Sequence, residues 1–344
     1  MTGKRCTIKD VAKVAGVSTG TISRYLTQKG YVSQQSREKI DAAIKELQYI
    51  PNASARNMVN QKSNLVGIAV PEINNPFLGS LTVKIEACLN KMGYSVMFCN
   101  TAFDPVKTEH FVDDLIMRNA EGIILIAADI SWAGSNSIRK INKFMAGVSM
   151  GQKIPNFDSV NYSEFELGEL VADYLVSMGH RDIGCISFTE HGTQTMQRKN
   201  GVISSLKKHQ LPIKKEFFVG LNAEMKYIQG ENSGYRCAQK LLEGEAYPTA
   251  IVAINDYSAI GAYKAVQEKG LRIGEDISII SFDNIDMSQF VFPTLTTVDC
   301  DVYELASVTA RLLDKRITGQ EKGEPKDILL TAQIIYRNSV KKIN

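Results

Sequence analysis

Arg24 stands one helical turn after a run of small residues, Ser18, Thr19, Gly20 and Thr21, with Ser23 beside it. On a helix, side chains that short let the backbone approach the major groove of duplex DNA. The guanidinium can then donate a pair of hydrogen bonds to guanine O6 and N7. Lysines and the helix N-terminus would hold phosphates and set the register. The flanking residues supply the element that must carry this chemistry. Thr7 can cap a helix in which Ile8, Val11, Ala12, Val14 and Ala15 lie at helical spacing. Gly16 ends it in a turn, and Ser18 is the next natural cap. Ile22, Tyr25 and Leu26 form the apolar face of the second helix. After Gly30, Ser36 is expected to cap a third helix, with Ile40, Ala43, Ile44 and Leu47 as its stripe. This is a helix-turn-helix layout. Periodicity alone fits any small three-helix bundle as well.

Charge is distributed to match. Residues up to Lys62 hold 11 Lys and Arg against 4 Asp and Glu, while the rest of the 344-residue chain holds 29 against 33. A basic head on a mildly acidic body suits a chain that meets a polyanion at one end. A solvated basic face would give the same count. The six cysteines, Cys6, Cys88, Cys99, Cys185, Cys237 and Cys300, form no CxxC pair and no cluster with histidine at zinc-finger spacing. They read as reduced thiols, which fits a cytoplasmic protein. The N-terminal MTGKRCTIKDVAKVAG lacks the apolar core of a secretory signal, and no apolar run approaches the roughly 20 residues of a membrane helix.

From Leu65 onward, apolar runs alternate with amphipathic segments. LVGIAV from Leu65, SVMFC from Ser95 and GIILIA from Gly122 read as strands. So do IGCISF from Ile183, TAIVAI from Thr249 and SIISF from Ser278. Successive blocks of this kind predict a pair of parallel-sheet lobes, with a ligand at the carboxyl ends of the strands. No G-x-G-x-x-G follows the first strand, and there is no P-loop or G-x-S-x-G elbow. His110, His180, His191 and His209 are scattered. Neither a cofactor nor a metal is expected, and the chain does not read as an enzyme.

Ile8-Lys-Asp-Val-Ala-Lys-Val-Ala-Gly-Val-Ser18, Thr21-Ile-Ser-Arg24, Ser36-Arg-Glu-Lys-Ile40 and Tyr49-Ile-Pro-Asn52 together resemble the DNA-binding head of the LacI family. In that family the first variable positions of the recognition helix choose the operator. Here they are Thr19 and Gly20, and Gly20 departs from the side chain usual there. The resemblance assigns DNA contacts to Thr7, Ser18, Thr19, Gly20, Thr21, Ser23 and Arg24. Asn52 to Met58 is similar to the family's hinge helix, with Asn52 and Ala55 as further contacts and Met58 in place of the usual leucine wedge. So short a segment is expected to fold only on DNA.

The body resembles the family's effector domain, which is related to periplasmic sugar-binding proteins. The likeness is carried by Asn74-Asn-Pro-Phe77, Gly179-His-Arg-Asp-Ile183, Arg198-Lys-Asn-Gly201, Asn255-Asp256, Phe282-Asp283-Asn284 and Pro293-Thr-Leu-Thr-Thr297. It implies an effector site of Asn75, Phe77, Arg198, Asn255, Phe282 and Asp283. Arg198 offers a fork of donors, Asp283 accepts from paired hydroxyls, and Phe77 offers a face to a sugar ring. Asp256 reads as the cap of the following helix, and His180 as structural. After Val160, where the family often has an acidic ligand residue, this chain has Asn161-Tyr162. An aromatic position of the second lobe is replaced by Gln229.

The resulting expectation is an α/β protein: a small all-α helix-turn-helix head, then a two-lobed periplasmic-binding-protein-like body of parallel sheets flanked by helices. The head would be 1–50 and the hinge 51–63. The N-terminal lobe would be 64–158 plus 294–323, and the C-terminal lobe 159–293 plus 324–344. The resemblance implies a homodimeric repressor of a sugar-uptake or catabolism operon, bound to a palindromic double-stranded DNA operator. A small polyhydroxylated effector would control it. The alternatives are a global regulator whose main partner is a phosphocarrier protein, and a solute-binding protein without regulatory role. No membrane partner is expected.

Overall fold

The computed structural model describes residues 6–27, 30–49, 62–127, 135–189, 193–221, 230–244 and 246–343. Asn52, Ala55 and Met58 of the expected hinge, and Gln229, lie outside the described residues. The chain divides into two units, Met1–Ser63 and Asn64–Asn344.

The head is helical: α1 (Ile8–Ala15), α2 (Thr19–Thr27) and α3 (Gln34–Glu46). Val11, Ile22 and Ile40, one from each helix, are fully buried, and Tyr25, Leu26, Ile44 and Leu47 pack around them. Gly16 closes α1 with φ of +65°, the left-handed conformation that glycine adopts without a Cβ penalty. Ser18 caps α2 as expected, its hydroxyl accepting from the Thr21 N–H at 3.1 Å. The third helix starts earlier than the sequence suggested. Ser33 is the cap, accepting from the Ser36 N–H at 3.3 Å, and Ser36 lies inside the first turn. Both serines have cap chemistry, and Ser33 is the one whose backbone is still extended.

The body runs β1 (Leu65–Val70), α4 (Pro76–Lys91), β2 (Ser95–Asn100), α5 (Pro105–Met117), β3 (Gly122–Leu125), α6 (Asn136–Phe144), β4 (Ala146–Met150) and β5 (Asp158–Tyr162). It continues α7 (Glu164–Ser177), β6 (Ile183–Thr189), α8 (Thr193–Lys208), β7 (Phe218–Leu221), α9 (Glu231–Leu241), β8 (Ala250–Ala253), α10 (Asp256–Glu268) and β9 (Ser278–Phe282). Last come β10 (Thr296–Asp299), α11 (Val302–Ile317), β11 (Asp327–Leu330) and β12 (Gln333–Ile335). Every apolar run named above forms a strand. One sheet has the order β11-β5-β4-β3-β1-β2, the other β12-β10-β9-β8-β6-β7. All pairings are parallel except β10 with β12. The central strands are buried on both faces, as with Ile68, Ile124, Ala250, Val252 and Ile280, which is why they read as continuous apolar runs rather than alternating ones.

The crossings between lobes fall elsewhere than the expected boundaries. Residues 158–162 and 327–330 belong to the first sheet, and 296–299 to the second. The chain crosses only after each strand has completed its sheet. Asp158 fixes one crossing. It is buried at the start of β5 and accepts from Arg316 Nε and Nη2, both at 2.7 Å, and from the Lys326 N–H at 2.6 Å. This bidentate pair ties α11 and the lead into β11 to the first sheet. No helix among the described residues is long and apolar enough to cross a membrane.

Candidate functional site

On the head, Ser18, Thr19, Gly20 and Arg24 are exposed, and Thr21 and Ser23 are half-buried. They occupy the cap and the first two turns of α2 around Ile22. Arg24 Nε donates back to the Gly20 carbonyl at 3.3 Å. A Cβ at Gly20 would meet only the Ser18 hydroxyl, at 3.7 Å, so the glycine is not required by packing within the head. Thr7, also exposed, sits at the start of α1, where its N–H and hydroxyl both donate to Asp10, at 2.8 and 2.7 Å.

In the body, a cavity of about 480 Å³ opens at the carboxyl ends of strands from both sheets. That is where open parallel sheets bind ligands. Of the residues assigned from sequence, Asn75, Phe77, Arg198, Asn255 and Asp283 line it. Phe282 does not. As the last residue of β9 it is fully buried, with its ring under the Arg198 guanidinium at 4.5 Å.

Arg198 reaches the cavity because α8 lies close on α7. A Cβ at Gly201 would fall 2.0 Å from the Phe165 carbonyl oxygen, and one at Gly168 would fall 2.0 Å from that of Arg198. The R-x-x-G spacing thus combines a guanidinium with the close helix approach that places it. Arg198 Nε donates to Glu164 at 2.5 Å, and Nη1 donates to the Ile254 carbonyl at 2.7 Å and lies 3.6 Å from Asp283. The guanidinium is held firmly charged by Glu164 and Asp283 despite its burial. Burial pushes the Asp283 carboxyl well above the usual range, opposed by Arg198 and reinforced by Asp256 and Glu164.

Asn255, not Asp256, caps α10: its side-chain oxygen accepts from the Ser258 N–H at 2.8 Å. Asp256 is the first helical residue and is fully buried. It accepts from the Ser281 hydroxyl, from the Thr297 hydroxyl at 2.6 Å and from the Ile285 N–H at 2.9 Å. Burial lifts its pKa to about 6, against the pull of these donors. Asn75 plays the same double part as Asn255: it lines the cavity while capping α4 through the Phe77 and Leu78 N–H groups, at 3.0 and 3.2 Å. His180 is structural, its ring nitrogens 2.9 Å from the Thr249 hydroxyl and 3.1 Å from the Lys341 carbonyl.

Sequence reasoning missed Glu164 and Glu72, both of which line the cavity. Asn161 turns to the Gly151 N–H at 2.6 Å, and Glu164, in the first turn of α7, is an acidic residue that lines the cavity while pairing with Arg198. The signal for Glu164 was Ser163-Glu164 at a helix start.

Residues 7–52 match the family described as bacterial regulatory proteins, lacI family, and residues 172–340 match the periplasmic binding protein-like domain. The HTH-type transcriptional repressor PurR of Histophilus somni is 32% identical over 98% of this chain and 99% of its own. The lac repressor dimer, solved bound to operator and the anti-inducer ONPF, superposes with a TM-score of 0.85 at 26% identity, covering 98% of this chain and all of that one. A LacI family transcriptional regulator from Enterococcus faecium, solved with bound ribose, gives 0.71 at 28% identity over 81% of this chain and all of its own. Likeness along the whole chain, a matching head and a matching body lead to one assignment. The chain belongs to the LacI family, as a DNA-binding transcriptional repressor and not an enzyme.

Proposed function

We propose that this repressor acts in the cytoplasm as a homodimer on a palindromic operator, and that a small hydroxylated effector of the sugar type sets its affinity for DNA. The observation that carries the effector reading is the cavity itself, bounded by both sheets and furnished with Arg198, Asp283, Asn255, Asn75 and Phe77. Its polar groups sit among aromatic and aliphatic walls, the mix suited to a polyol. The ribose held by the Enterococcus faecium regulator supports the same chemistry. A ligand that touches both lobes favours one arrangement of them and shifts the population that binds DNA. Thr7, Ser18, Thr19, Gly20, Thr21, Ser23 and Arg24 would meet the operator, joined by Asn52, Ala55 and Met58 from the segment 51–63. An effector of this type implies target genes for sugar uptake or catabolism. The test is an operator titration on selected palindromic DNA, with and without each member of a sugar panel. One sugar is expected to change operator affinity at least about tenfold, equal to about 1.4 kcal/mol. Identical titration curves across the whole panel would overturn the effector reading.

A further inference from the structure

Among the described residues, the charged groups lining the cavity are one cation, Arg198, and three carboxylates, Glu72, Glu164 and Asp283. The cation is already balanced. Its Nε and Nη1 are taken up by Glu164 and the Ile254 carbonyl, with Asp283 3.6 Å away. Four helix N-termini at the cavity, the other common source of positive potential, are also occupied, while α8, whose Gln194 and Thr195 line the cavity, has no acidic residue in its first turn. Asn75 caps α4, Asn255 caps α10, and Glu164 and Glu231 sit in the first turns of α7 and α9.

Glu72 faces this arrangement from the loop after β1. It is half-buried, and its side chain makes no hydrogen bond or ion pair among the described residues. Burial, with Glu231 close by, pushes its carboxyl above the usual range. A half-buried carboxylate of this kind is best satisfied by a donor on the ligand.

We infer that the cavity admits a hydroxyl- or amine-rich ring bearing no anionic group, and that Glu72 is the charged residue by which the first lobe, beside Asn75 and Phe77, holds it. This rests on the effector reading above and narrows it to phosphate-free ligands. A phosphate ester entering here would lose its water among three acidic side chains, beside one arginine whose charge Glu164 and Asp283 already balance. A neutral sugar or an amino sugar instead offers donors to Glu72 and Asp283 and accepts from the Arg198 Nη2 edge, which has no partner among the described residues.

The test is thermal unfolding and calorimetry of the full chain with paired probes. These are ribose and its phosphate ester, glucose and its phosphate ester, glucosamine, and inorganic phosphate. At least one phosphate-free sugar is expected to raise the melting temperature and to bind at least about tenfold more tightly than its ester, with glucosamine separating amine from hydroxyl recognition. Inorganic phosphate is expected to do nothing. Glu72→Gln is expected to weaken the bound sugar at least about tenfold while melting normally without ligand. An ester that binds as tightly as its parent sugar overturns the charge selection but leaves the effector reading standing. Unchanged sugar affinity in Glu72→Gln overturns the role of Glu72. Silence from every probe overturns the sugar-effector reading and this inference with it.

Discussion

Arg198 and Glu164 form a buried ion pair, Nε to carboxylate oxygen at 2.5 Å, with both side chains only about a tenth exposed. The arginine that the sequence pointed at a ligand is therefore bound first to the protein. Glu164 orients the guanidinium, Phe282 supports its face, and the remaining edge meets the cavity.

Removing that arginine leaves Glu164 and Asp283 buried without a counter-charge. Arg198→Ala is expected to destabilise the body by about 3–5 kcal/mol, read as a lower urea midpoint. It should also weaken the effector at least about tenfold. Asp283→Ala is expected to weaken the effector equally while leaving operator affinity without ligand unchanged. Wild-type effector response in both variants would remove them from the site.

Gly201 holds α8 against α7, since a Cβ there would overlap the Phe165 carbonyl. Gly201→Ala must push the helices apart, at a cost of about 1–3 kcal/mol, and displace Arg198. Both a lower urea midpoint and a weaker effector response are expected. A stable variant with full response would show that the helices can slide without cost.

Asp256 makes stability depend on pH in a defined direction. The folded state keeps its proton up to about 6, while the unfolded chain releases it near 3.8. Between these values the folded state binds more protons, so this group's contribution falls as pH rises through the window and is flat above it. The change is on the order of 3 kcal/mol. Urea midpoints measured across that window should therefore decline less steeply with rising pH in Asp256→Asn than in the wild type. Parallel profiles would mean that the carboxyl titrates normally.

Arg24→Ala is expected to cost about 1–3 kcal/mol on the operator and to relax preference at one base pair per half-site. Binding curves on single-base operator variants test this. Equal weakening on every sequence would make Arg24 a phosphate contact.

Gly20 can be replaced without a clash inside the head. Gly20→Ala is expected to stabilise the head by about 0.5–1 kcal/mol, through lower backbone entropy in the unfolded chain. It should also change operator preference if Gly20 belongs to the proposed recognition surface, since that surface would gain a methyl group. A higher melting temperature with unaltered preference would take Gly20 out of the recognition surface.

Local patterns determined much of this protein. The stripes of α1 to α3 and the turn at Gly16 follow from 3.6-residue periodicity and from glycine's freedom at positive φ, so they are visible within a dozen residues. The apolar runs of β1, β3, β6, β8 and β9 are visible because burial on both faces leaves no polar alternation to obscure them, while β2, a half-exposed edge strand, is visible from its composition alone. Arg198, Asp283, Asn255, Asn75 and Phe77 could be picked out from motifs that keep fixed spacing around strand ends. Sheet membership could not, because a strand as short as Thr296–Asp299 is assigned by what pairs with it, and its partners, β9 and β12, lie elsewhere in the chain. Neighbouring residues with equal cap chemistry, Asn255 beside Asp256 and Ser33 near Ser36, were separated only by backbone conformation and burial. The charge balance of the cavity was likewise a tertiary outcome. Glu164 meets Arg198 across 34 positions, and Glu72 faces them from the other lobe, because helix packing and sheet closure brought these carboxylates to one cavity.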